Sequence, residues 1–363
     1  MAEAIGRHDL DGAPADHADI LARWDLFHFL RTGTALAAFA LIIALVVWRV
    51  ERRKPRFRRA DEGAALPWVD HDDVVTWLPS EGSPGMRYFE FRGTSIAYDE
   101  AGAGPPIVFL HNLGGDRHIW RAQFDALRQT HRVFAIDLIG YGDSDAPDDG
   151  YTVENYLAMV IAFFEEHDLR EVTLVGHCFG SALSLLYAQR DPERVRSLVL
   201  SSPLTPATLR PTRTAWAARL GRRVHIDSLL ARVRIPGPLA GLIVAEQLGS
   251  EKAPHAAETV AHLRESWTEP RRLMVTAAIS REIPRLGELD EFVPPQDFPP
   301  ITTVWGSRNR VLCARAGAML NQTLTPSRAI VIDGAGHLVM VEAPDQVTAA
   351  VLAAATAIRV VDS

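Results

Sequence analysis

The stretch VTLVGHCFGSALSLLYAQ holds the residues most suited to chemistry in this chain. Gly176-His177-Cys178-Phe179-Gly180 joins an apolar run to a helix-period run. Gly-x-Cys-x-Gly at such a junction predicts a sharp strand-to-helix turn, because the two glycines let the elements approach closely. The residue between them is pushed outward at the top of a sheet. A helix N-terminus favours negative charge, so a thiolate is favoured there. Cys178 is therefore a candidate nucleophile; the plain alternative is a small buried hydrophobe, the common state of a free cysteine. His337, in GAGHLVMVEAPDQV, follows the last strand-like run and precedes a helix. In the order nucleophile then base it is the candidate general base, against the alternative of an ordinary surface or core histidine. HNLGGDRHIW, after the first parallel strand, offers the backbone N–H of Leu113. With the N–H of Phe179 it would form an oxyanion hole, unless it is merely a glycine-rich connector.

These residues need a scaffold, and the pattern from about Met86 onward supplies one. RYFEF and TSIAYDE alternate like a hairpin with Arg92 and Gly93 at the turn. Six strand-like runs follow, at 106–111, 132–137, 172–177, 195–201, 301–306 and 328–333. Helix-period segments lie at 117–130, 152–167, 179–190, 313–323 and 344–357. Apolar strands alternating with helices predict a mostly parallel, doubly wound sheet covered on both faces. Sites in such sheets lie at the carboxyl ends of the strands. The loop DLIGYGDSD (137–145) would shape the same rim. Residues 204–295 interrupt the alternation with helical patterns and Pro-rich joints. That is too long for a loop, so an inserted helical cap is expected there, with the core at 86–203 and 296–363.

HNLGG, GHCFG, WGSRNRV and GAGH, in this order, resemble the α/β-hydrolase superfamily over residues 86 to 360, about three-quarters of the chain. The resemblance implies acyl chemistry on a three-residue relay. Two positions depart from the family pattern. Cys178 stands where the family usually has serine, and Asn309, 28 residues before His337, stands where it usually has an acid. The departures fit each other. A thiol ionises far more readily than a hydroxyl, so a Cys–His pair can rest as thiolate and imidazolium while an amide oxygen orients the ring. Asp333 and then Asp290 are the fallback acids. The implied reaction is acyl hydrolysis or acyl transfer on an ester or thioester through a cysteine thioester. The alternative is a catalytically silent protein that binds a ligand in the hydrolase pocket.

The remaining composition narrows the partners. A net charge of −7 gives no global case for nucleic acid. The two cysteines, Cys178 and Cys313, make no disulfide framework. No Gly-x-Gly-x-x-Gly follows a strand, and the 13 histidines show no metal-ligand spacing, so neither cofactor nor metal is expected. GTALAAFALIIALVVW is uncharged over 16 residues and precedes seven basic residues between Arg49 and Arg59. This predicts a polar segment at 1–32, a transmembrane anchor at 33–50 and a basic linker at 51–85, with the catalytic part on the cytoplasmic side of the membrane. Seven arginines between Arg210 and Arg234 are either a solvated face or a docking face for anionic lipid or an acyl carrier protein. IPGPLAGLIVAEQL (235–248) is apolar enough to line an acyl tunnel or touch the bilayer, and also suits the core of a cap.

Overall fold

A computed structural model describes residues 85–209, 233–249 and 257–357. The segment 33–50 and the arginines from 210 to 232 lie outside these residues. Among the described residues, no helix is long and apolar enough to cross a membrane.

Eight strands form one sheet: β1 (Met86–Phe91), β2 (Thr94–Ala101), β3 (Pro106–Leu110), β4 (Arg132–Ile136), β5 (Val172–His177), β6 (Val195–Ser201), β7 (Ile301–Gly306) and β8 (Arg328–Ile332). Their spatial order is β1-β2-β4-β3-β5-β6-β7-β8. β1 pairs with β2, and β2 with β4, in antiparallel fashion, and every later pairing is parallel. The hairpin turns at Arg92 (φ 52°) and Gly93 (φ 76°), both left-handed, which matches the twist of the flanking strands.

The helices that dress the sheet are α1 (Arg121–Leu127), α2 (Val153–Glu166), α3 (Phe179–Arg190), α7 (Ala314–Leu324) and α8 (Pro344–Ala355). Between β6 and β7 the described residues are helices and turns, chiefly α4 (Gly237–Gln247), α5 (Ala257–Ser266) and α6 (Arg272–Glu282). β3, β5 and β6 sit mid-sheet and are buried almost throughout, so their sequences read as continuous apolar runs. β8 is different. It closes one edge, and most of its residues are exposed, Val331 among them, despite an equally apolar sequence.

The centre of the sheet is where strand and helix come closest. A Cβ on Gly180 would lie 2.3 Å from the carbonyl oxygen of Leu110, and one on Gly176 would lie 2.3 Å from that of Gly180. Both neighbours are backbone and cannot step aside. Gly180→Ala should therefore cost about 2 kcal/mol or more of stability, a fall in Tm of about 4–8 °C for a domain of this size. Calorimetry on the purified variant measures this. An unchanged Tm would mean that α3 does not press on β3 as described.

Candidate active site

Cys178 is the first cap residue of α3 and has φ 53° and ψ −109°. That left-handed backbone is strained for any side chain other than glycine. Hydrogen bonds on both sides of the residue hold it. Cys178 N–H donates to the carbonyl of Ser201 (2.9 Å), and its own carbonyl accepts from Ser181, Ala182 and Leu204 (3.1–3.2 Å). The turn therefore aims the thiol into a cavity of about 530 Å³. Its walls are mainly apolar: Leu113 from the core, and Leu204, Leu209, Leu242, Ile243, Trp267 and Leu273 from the stretch between β6 and β7. The size suits a small-molecule pocket of roughly 300–1,000 Å³. The segment 235–248 thus contributes α4, which lines the cavity with Leu242 and Ile243 and buries Ala240 and Val244 in packing.

The N–H groups of Phe179 and Leu113 lie close enough to Sγ to favour its ionised form. The loop bearing Leu113 is pinned from behind: His111 Nε2 accepts from Leu138 N–H (2.9 Å), and its Nδ1 donates to the Asn112 carbonyl (2.8 Å). The 137–145 loop is anchored by Arg117, which pairs with Asp99, Asp137 and Asp143.

His337 lines the same cavity and is almost fully buried. Its backbone N–H donates to the Gln247 carbonyl of α4 at 2.7 Å, so the insertion holds the loop that carries it. Asn309 does reach the ring, 3.1 Å from Nδ1. The fallback acids do not. Asp333 is exposed and accepts from Ser307 (3.0 Å), and Asp290 accepts from Ala207 N–H (3.1 Å).

Two expectations need correction. The first is the end of Asn309 that meets the ring. Asn309 Oδ1 already accepts from the N–H groups of Val311 and Leu312, each at 3.0 Å. Turning the amide over would put its NH₂ against two donors. Its Nδ2 therefore faces His337 Nδ1 and the Ser202 hydroxyl, both at 3.1 Å. An N–H donor beside Nδ1 requires a lone pair there, which puts the proton of the neutral ring on Nε2. The expected amide oxygen would have imposed the opposite tautomer.

The second is the resting charge. Burial pushes the Cys178 thiol up to about 12, and the facing N–H groups of Phe179 and Leu113 offset only part of this. Burial also holds His337 well below the usual imidazole range, and the neighbouring His177 ring lowers it further. The two rings lie 4.4 Å apart by centroids. His177 is itself down at about 3 through burial. Thiol and imidazole both rest neutral, with no hydrogen bond between them. Burial penalises a thiolate–imidazolium pair here, and Glu246, the carboxylate that lines the cavity, sits against Arg310 at 3.9 Å.

A sequence profile described as the alpha/beta hydrolase fold matches residues 105–344. The chain belongs to the α/β-hydrolase family. A haloalkane dehalogenase of Agrobacterium fabrum is 45% identical over 31% of this chain, a stretch that spans only 37% of that relative. One from Sphingobium indicum is 28% identical over 74% of this chain and 94% of its own length. Among solved structures, an alpha/beta hydrolase fold protein from Burkholderia ambifaria superposes with a TM-score of 0.63, at 25% identity, over 74% of this chain and 99% of that one.

Among the residues that shape this α/β-hydrolase site, Ser202, Gln247 and Asn112 were not anticipated. Asn112 Nδ2 donates to Gln247 Oε1 across to α4 (3.3 Å), and Ser202 supports Asn309. Only the paired serines at the end of β6, Ser201 and Ser202, mark a polar strand end in the sequence; nothing local marks Gln247.

The resting charge state has a kinetic signature. A thiol with its pKa raised to about 12 holds far less thiolate at pH 7.5 than a free cysteine near 8.5. Iodoacetamide should modify Cys178 at least about a hundredfold more slowly than glutathione at that pH. The rate should keep climbing through pH 9. A fast rate, flat from pH 5 to 8 and read by mass spectrometry of the Cys178 peptide, would restore the ion pair.

Proposed function

We propose that this protein is a membrane-anchored acyl hydrolase or acyltransferase whose Cys178 takes the acyl group of an apolar ester or thioester. The observation that carries this reading is the placement of Cys178. Its thiol sits on a strained turn, against two backbone N–H groups, at the floor of an apolar cavity. A carbonyl entering there would direct its oxygen toward the N–H groups of Leu113 and Phe179, which would stabilise charge developing on it. Attack forms a C–S bond. The thiol proton must leave for His337, which then returns it to the departing alcohol or thiol. Water or another acceptor next attacks the thioester, and the thiol regains its proton.

His337 can accept that proton at Nε2 only in its Nδ1–H form. Asn309 must then present its oxygen and release the N–H groups of Val311 and Leu312. The amide therefore slows acylation, and acylation is the step this chain should find hardest. A free metal or cofactor has no part in this scheme.

The names of the relatives raise carbon–halogen bonds as substrates, and chemistry argues against turnover on them. Displacement of halide by Cys178 would leave an alkyl thioether, which has no carbonyl for water to attack. A haloalkane should therefore modify the protein once and stop. The second reading, a silent ligand-binding protein, draws support from the Nε2–H tautomer, since a ring that is already protonated toward the cavity can donate a hydrogen bond but not take a proton.

We further propose that residues 33–50 anchor the chain with this domain in the cytoplasm. The arginines between 210 and 234 would then meet anionic lipid or an acyl carrier protein. Protease added to intact spheroplasts should spare residues 86 onward, and digestion without lysis would reverse that orientation.

The catalytic reading is tested by intact-mass spectrometry with a panel of medium- and long-chain thioesters. A thioester adduct should appear on Cys178 and vanish in Cys178→Ala. Asn309→Asp should raise the acylation rate by about tenfold or more, because a carboxylate oxygen imposes the Nδ1–H tautomer and stabilises the imidazolium. No adduct in either protein, with ligand binding retained, would leave the silent reading.

A further inference from the structure

Outside the Cys178 cavity, three side chains that could ligate a metal converge at the junction of the core and the insertion. Asp116 follows the Leu113 loop and is fully buried. His118 stands two residues on, in the short helical turn Arg117–Trp120. His262 comes from the middle of α5, 146 residues away along the chain. His118 Nδ1 lies 3.1 Å from Asp116 Oδ1, and His262 Nε2 lies 2.9 Å from Asp116 Oδ2. The imidazoles face each other with centroids 4.2 Å apart. One nitrogen from each ring and one carboxylate oxygen fall within 4.8 Å of one another.

We infer that Asp116, His118 and His262 form a site for a borderline divalent transition metal such as Zn²⁺. Ligands about 2.1 Å from a tetrahedral ion stand about 3.4 Å apart, so side-chain rotations of about an ångström, spreading the close pairs and drawing in the wider ones, would admit one. Two imidazoles and a carboxylate are a donor set for such an ion rather than for Mg²⁺ or Ca²⁺, which prefer oxygen alone. Both histidines are partly exposed while Asp116 is buried, so a fourth position opens toward solvent, where water completes the coordination. The carboxylate is also held from behind, because Oδ1 accepts from the His118 backbone N–H at 3.1 Å.

An ion here would tie α5 to the loop that presents Leu113. Arg272 reinforces that junction by donating to the Gly115 carbonyl (3.4 Å). The inferred role is structural, stapling the insertion over the cavity, and it holds whether or not Cys178 performs acyl transfer.

The test uses the full-length protein, stripped with chelator and titrated with Co²⁺ as a spectroscopic stand-in for Zn²⁺. One equivalent should bind with visible absorption of four- or five-coordinate cobalt, and Zn²⁺ should displace it. Zn²⁺ should also raise Tm. His262→Ala, a change at a partly exposed position, should keep the fold by circular dichroism and lose the cobalt band together with the Tm shift. His118→Ala should behave alike. Binding that survives in both variants, or no cobalt band at a tenfold excess of metal at pH 7.5, would overturn the inference and leave a hydrogen-bonded His–Asp–His cluster.

Discussion

Two backbone amides decide what the buried histidine can do. The N–H groups of Val311 and Leu312 claim the oxygen of Asn309 and so turn its NH₂ toward His337. In a wetter site the ring could exchange tautomers through solvent. Here it is buried, so the direction of one amide carries through to the proton on Nε2. The proton position on His337 and the expected gain in Asn309→Asp follow from that one hydrogen-bond assignment.

Burial then sets the energetic scale. A cysteine at a helix N-terminus with two facing N–H groups would ordinarily have a lowered pKa. In this chain desolvation wins, and the thiol rises. The same burial that discourages charge in the resting state would strengthen the pull of the two N–H groups on an oxyanion, since fixed dipoles act more strongly at low dielectric. The chamber therefore suits a reaction whose charge appears only when substrate is present, and it disfavours a permanently charged pair.

Local pattern made the scaffold legible. The strands at 172–177, 195–201 and 301–306 were read with the bounds they have in the structure, because central strands covered on both faces are apolar without interruption. The turn at Cys178 was legible because its two glycines announce close packing. The position of Asn309 was legible too, but its amide direction was not, since that depends on where the following loop points its N–H groups. His262 could not have been joined to Asp116 and His118 from the sequence. No motif spacing spans an insertion, and only the fold of α5 over the core brings the three together.

The hydrogen bond from His337 N–H to the Gln247 carbonyl ties two events that are usually separate. α4 is both a wall of the cavity and the support of the loop carrying the histidine. If the insertion swings away to admit or release a large ligand, that loop loses its bracket and the ring loses its register with Asn309. Opening and reacting would then exclude one another, much as a door whose bolt is also its working tool cannot be used while ajar. Unbound solvent would meet a disassembled relay, so on the proposed reading water could act as acceptor only with the insertion in place.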